Sequence, residues 1–213
     1  MAILRSGILG GFAGKVGTVV GSIWKGISTM RAYVANVTQP GSPAQLEHRA
    51  KFSLMMAFLK PLTAFLRIGF KAYAVGQTAQ NAAFKTNFKN AITGVYPNFT
   101  IDYTKVLVSQ GNFTGALNPA VTSSTSGEVA FTWDNNSWET DAEPDDTAVL
   151  VVYNPIKQAA VSNVGVSTRT VGAMTMILPN SFAGDEVYCY IAFQNAKGTK
   201  ISGSQYVNGI IVI

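Results

Sequence analysis

The sequence predicts an α+β protein: a Gly-rich β arm over residues 1–41, a helical hairpin over 42–95 and an all-β sandwich over 96–213. Three observations predict it. β-branched residues alternate with small ones in the first segment, apolar residues recur at helical spacing in the second, and short apolar runs broken by turn residues fill the third. At 213 residues the chain is long enough to bury a core without staples.

The arm carries two competing periods. Gly7, Gly10, Gly14, Gly17 and Gly21 recur every three to four residues, the small-residue spacing that brings membrane helices together. Against this, Val16, Thr18, Val20, Ser22 and Trp24 alternate with Gly17, Val19, Gly21 and Ile23. Glycine weakens a helix by about 1 kcal/mol per residue, so strands are the better reading. Arg5 and Lys15 interrupt the apolar run, which excludes a signal peptide (about 7–15 uninterrupted apolar residues) and a spanning helix (about 20). A Gly-rich strand leaves one face bare, which suits pairing with a sheet edge.

In the second segment Ser42, Pro43 and Gln45 form a capping-box start, and Leu46, Ala50, Leu54, Ala57 and Pro61 lie on one stripe that Phe58, Leu62, Phe65 and Gly69 continue. Pro61 should kink or break this helix. Gly76-Gln77 is the expected turn. The second helix is expected from Thr78 to Thr93, closed by Gly94, with Ala79, Ala83, Phe84, Phe88 and Ile92 inward and Lys85 and Lys89 outward.

Strands are expected in the third segment at 99–108, 128–133, 147–153, 158–163, 172–178, 186–194 and 205–213. Asn118-Pro119, Asn154-Pro155, Pro179-Asn180 and Lys197-Gly198 are among the turns between them, at the spacing of a β-sandwich. The stretch from Ile177 to Val207 resembles the last hairpin of an immunoglobulin-like or fibronectin type III-like module, a fold that hosts many functions.

Charged residues make up 13% of the chain, against about a quarter in ordinary domains. The net charge of +5 hides an asymmetry. Residues 1–100 carry eleven bases against Glu47 alone, a balance of +10, while residues 101–213 carry five bases against ten acids, a balance of −5. A basic half attracts nucleic acid, anionic lipid or an acidic protein surface, including that of a second copy.

Chemistry-bearing residues are few. The single histidine, His48, has only Glu47 as a local carboxylate, and the single cysteine, Cys189, lies in a strand pattern as a small core residue. One cysteine excludes a disulfide within one chain, and one histidine leaves almost nothing from which to build a zinc site or a histidine-based triad. Glu139, Asp141, Glu143, Asp145 and Asp146 crowd one loop; it lacks the EF-hand glycine and terminal glutamate, so it reads as a solvated loop, with calcium or a basic partner surface as alternatives. The glycines do not have phosphate-loop spacing. Bases interleaved with Trp24, Tyr33 and Phe52 suit single-stranded nucleic acid, but their dispersal along helices reads as solvated faces.

GKVGTVVGSIWKGISTMR, QPGSPAQLEHRAKF and NAITGVYPNFTIDYTKVLVSQG occur in order, and with them nearly the whole chain resembles a Bacteroidota family known as the domain of unknown function numbered 6266. The resemblance implies the three-part architecture and supplies no catalytic residue. A looser similarity of the opening motif to phage-associated proteins implies an assembly role.

These observations predict a non-catalytic structural protein that self-assembles into a fibre or a virion-like particle, with itself as partner and no cofactor, metal, nucleic acid or membrane span. The arm around Val16–Ile27 is expected to add to a sheet edge of the next subunit beside the terminal strand Tyr206–Ile213. Val16, Val20, Trp24, Ile27 and Arg31 are the arm's contact residues and Tyr206 the receiving one, while Asp141, Asp145 and Asp146 face a neighbour's cations. The alternative is a glycan- or protein-binding module that uses the sandwich loops, with Trp133 and Trp138 as a platform. The location is open; an extracellular or particle-associated one would need another export route.

Overall fold

The computed structural model describes residues 2–3, 11–35 and 41–213, which divide into a small unit up to Ala44 and a body from Gln45 to Ile213. The small unit is a sheet of its own. Strands β1 (Ala2–Ile3), β2 (Gly14–Val16), β3 (Val19–Trp24) and β4 (Ile27–Ala32) pair antiparallel in the order β1-β4-β3-β2. Lys25 and Gly26 turn β3 into β4, both at positive φ (48° and 80°), as a two-residue hairpin turn demands. Gly21 is needed for a different reason: a Cβ there would lie 2.4 Å from the Phe12 carbonyl oxygen, so only glycine lets this segment cross β3.

β3 is hydrogen-bonded to β4 over Val19–Trp24 and to β2 over Val19–Gly21, and β2, which carries Val16 of the stretch expected to add to another sheet, is the outer strand of this sheet among the described residues.

In the body, α1 (Pro43–Leu59) starts at the expected proline and ends before Pro61, and α2 (Thr63–Gly69) leaves at 86° to it. The buried stripe of α1 is Met55, Phe58 and Leu59, whereas Leu46 and Ala57 are exposed. The helix meets the core only in its C-terminal half, so the expected early stripe has nothing to pack on. α3 (Ala79–Asn90) is capped by Thr78, whose side chain accepts from the Asn81 N–H at 3.1 Å. It stops three residues before Thr93. Ile92 and Thr93 belong instead to β5 (Ile92–Val95), hairpin partner of β6 (Asn98–Ile101), and Gly94 sits in that hairpin at φ +89°. No single helix among the described residues is long and apolar enough to cross a membrane.

The sandwich follows: β7 (Leu117–Thr122), β8 (Glu128–Asp134), β9 (Thr147–Asn154), β10 (Ala159–Thr168), β11 (Ala173–Ile177), β12 (Glu186–Gln194) and β13 (Gln205–Ile211). Two antiparallel sheets form, β10-β9-β12-β13 and β11-β8-β7. β7 holds Pro119, a residue that reads as a turn; an edge strand with a register shift at Asn118 tolerates it. The expected strand over 99–108 is only β6, followed by a 3₁₀ turn at Tyr103–Lys105.

The four-stranded sheet is buried on both faces. Ala148, Leu150 and Val152 of β9, with Cys189, Ile191 and Phe193 of β12, face the three-stranded sheet. Val149, Val151 and Tyr153, with Tyr190 and Ala192, pack under Phe58, Leu59, Leu62, Phe65 and Phe70 of the helical layer. Such strands read as continuous apolar runs rather than as alternation. The helices and the sandwich thus share a core, and the boundary expected at 95 falls inside one compact unit.

Candidate functional site

The register of the small sheet sorts the arm's predicted contact residues. Val20 lies opposite Arg31 and Trp24 opposite Ile27, and all four share one face because residues two apart along a strand point the same way. Val16 pairs with Val19 and points to the other face. Trp24 is 50% exposed, Ile27 49% and Val16 65%; Gly21 is the only buried residue between 11 and 35. On the shared face the Lys15 ammonium lies 3.6 Å from the Tyr33 ring centroid, a cation–π contact.

The acidic loop is divided by the fold. Glu139, Glu143 and Asp145 are exposed, Asp141 is half-buried and accepts a hydrogen bond from Thr114 Oγ1, and Asp146 is buried. The expectation that Asp146 faces a neighbour's cations is corrected by its partner, Arg169, which is completely buried. Arg169 Nε donates to Asp146 Oδ2 at 3.1 Å, Nη1 to the Gly115 carbonyl at 2.9 Å and to Asn136 Oδ1, and Nη2 to the Thr114 carbonyl at 3.0 Å. Its guanidinium lies 4.0 Å from the Phe193 ring centroid. Burial pulls the Arg169 pKa below the ordinary arginine value, and the Asp146 charge opposes that. The network pins the acidic loop to the sandwich. Sequence reasoning passed over Arg169, because one arginine in a polar stretch gives no signal of burial.

Trp133 is core: its indole donates to the Arg169 carbonyl at 3.0 Å, so only Trp138, 72% exposed, stands as a surface platform. Tyr206 is half-buried against Tyr190, with ring centroids 5.8 Å apart, in a cluster with Tyr103, Tyr153 and Tyr188. Tyr103 and Tyr188 stack at 4.0 Å, and the Tyr190 hydroxyl donates to the Tyr103 carbonyl at 2.8 Å. Burial pushes the Tyr153 and Tyr188 phenols up to about 12.

His48 is exposed, its ring 5.2 Å from that of Phe88, and burial drives the Cys189 thiol up to about 12, far from a thiolate at neutral pH. Among the described residues no group of three His, Cys, Asp or Glu side chains gathers to hold a metal ion.

The body also carries a cleft of about 340 Å³ where the turn after α2 meets the loop before β7 and the β12–β13 loop. Lys71, Tyr73, Asn112, Asp141, Gln194 and Lys200 are among its lining side chains.

A family model matches residues 11–208, nearly the whole chain. This chain belongs to DUF6266, a family of unknown function. No curated protein matches the sequence. Among solved structures, the fibronectin type III domain of human collagen alpha-1(XX) is 15% identical over 47% of this chain and 87% of its own, with a TM-score of 0.33. A computationally redesigned β-sandwich protein is 12% identical over 48% of this chain and 94% of its own, also with a TM-score of 0.33.

Proposed function

We propose that this DUF6266 member is a non-catalytic structural protein that self-assembles into a fibre or particle by docking the N-terminal sheet of one copy on the acidic loop of the next. The observation that carries the reading is a sheet in which Gly21 alone of the described residues 11–35 is buried. A small sheet without an apolar covering is marginal in water, so a partner surface stabilises it. Residues 1–44 contain four bases and no acid, and the face with Val20, Trp24, Ile27 and Arg31 joins apolar area to that charge. Exposed Glu139, Glu143 and Asp145 supply the opposite sign in the body. Docking uses the sheet face, where these apolar and basic side chains stand, with the outer strand β2 beside it. A head-to-tail contact of this type propagates unless it closes into a ring.

Light scattering after size-exclusion chromatography and negative-stain microscopy test it. The full chain is expected to assemble, and a chain lacking residues 1–41 to run as a monomer. Arg31→Glu should weaken assembly, and added salt should weaken it further. A full-length monomer at high concentration refutes the reading.

A second reading, recognition of a glycan or protein by the sandwich loops, is favoured by Trp138 standing 72% exposed in the loop after β8. Loss of ligand binding in Trp138→Ala with assembly unchanged would support it.

A further inference from the structure

The cleft in the body has the build of a ligand site. Its volume of about 340 Å³ falls in the usual range for small-molecule pockets, roughly 300–1,000 Å³. Its floor is apolar, with Phe113 and Ile201 buried and Ile68 partly so, and Tyr73 stands exposed at the wall. Its rim is polar. Lys71 and Lys200 are both exposed, and no ion pair among the described residues involves either of them. With Asp141 the lining balance is two positive charges against one negative. The side-chain amides of Asn112 and Gln194 complete the rim, with no side-chain hydrogen bond to another of the described residues.

The walls are fixed before any ligand arrives. Asn195 Oδ1 accepts from the Thr199 and Lys200 backbone N–H groups at 2.8 and 2.9 Å, and Asn195 Nδ2 donates to Thr199 Oγ1 at 2.9 Å, which closes the loop that carries Lys200. Gly111 lies so near the Ile201 carbonyl oxygen that a Cβ would come within 1.8 Å of it, so the two loops touch through backbone. Thr114 holds Asp141, and Thr86 Oγ1 holds Gln110 Oε1 at 3.2 Å. Preorganised walls lower the entropy cost of binding.

We propose that this cleft binds an acidic sugar. Two ammonium groups without carboxylate partners select an anion. A simple anion would leave the Tyr73 ring, the apolar floor and the neutral amides unused, whereas a pyranose offers a C–H face to the tyrosine and hydroxyls to Asn112, Gln194 and Asp141. Its carboxylate meets Lys71 and Lys200. The inference rests on the second reading, ligand recognition by the loops, and is independent of assembly through the arm.

Saturation-transfer NMR on the full chain tests it, because that signal survives in large assemblies. Glucuronate is expected to bind with a Kd on the order of 1 mM and glucose about tenfold or more weaker, while inorganic phosphate, read as a competitor because it has no observable proton, should displace glucuronate only at about tenfold or more higher concentration. The Lys71→Ala/Lys200→Ala double variant, altered only at exposed side chains, should lose the glucuronate signal while keeping its melting temperature. Glucose binding as tightly as glucuronate, phosphate binding as tightly, or no transfer to glucuronate would each overturn the proposal. Neutral-glycan binding that Trp138→Ala removes and the lysine double variant keeps would overturn the cleft assignment while leaving the second reading standing.

Discussion

Replacing Arg169 with methionine removes the donors that hold the acidic loop while keeping most of the apolar volume of the stem. The Asp146 carboxylate then stays buried without its partner, its Oδ1 already being a buried atom with no hydrogen bond, and the carbonyls of Thr114 and Gly115 lose their donors. Removing one side of a buried ion pair costs about 3–5 kcal/mol, a large share of the roughly 5–15 kcal/mol that holds a domain folded. With a urea slope of about 2–3 kcal/mol/M, the unfolding midpoint should fall by roughly 1.5 M at unchanged slope. Asp146→Asn in the Arg169→Met background should recover about 1–2 kcal/mol, since a neutral amide is cheaper to bury than an unpaired charge. In the parent background the same change should destabilise. Urea titration of the four proteins by circular dichroism measures this cycle. A loss below about 1 kcal/mol in Arg169→Met, or the same effect of Asp146→Asn in both backgrounds, would refute the argument that the pair is desolvated and coupled.

The tyrosine cluster predicts alkaline instability. Folded Tyr153 and Tyr188 titrate near 12, above the ordinary value of 10.0, so their contribution is fully present below pH 10 and is lost as pH rises from there to about 12. Tyr103, Tyr190 and Tyr206 are raised in the same direction. Melting temperature should therefore fall steeply above pH 10, and Tyr188→Phe should reduce the slope. Asn87 supplies another test: its Oδ1 accepts from the Leu107 N–H and its Nδ2 donates to the Leu107 carbonyl, both at 2.8 Å, in place of a neighbouring strand. Asn87→Leu strands both groups and should cost about 2–3 kcal/mol in chemical denaturation; an effect within about 0.5 kcal/mol would mean that water replaces them.

Much of the fold was legible. The apolar runs at 128–133, 147–153 and 186–194, set off by turn residues, located β8, β9 and β12, and Ser42-Pro43 and Pro61 located both ends of the first helix, because turn chemistry and proline sterics act within a few residues. The Gly-rich arm read correctly as strands; its return on itself through Lys25-Gly26 was not read, since a positive φ at lysine leaves no mark in composition. β7 was missed because Pro119 argues against a strand everywhere except at an edge, and edges exist only once sheets assemble.

Of the candidate sites, the sequence by itself determined the sign of each half of the chain, the scarcity of His and Cys, and the apolar and cationic character of the arm, all of which are properties of residue type. Tertiary structure decided the rest. It buried Asp146 against Arg169, 23 positions away, and left Glu139, Glu143 and Asp145 in water. It also brought Lys71, Asp141 and Lys200 from separate elements to one cleft, and put both faces of β9 and β12 under cover. The physical reason is common to all three: desolvation and ion pairing depend on which surfaces meet, and that follows from packing distant segments rather than from the order of residues along any one of them.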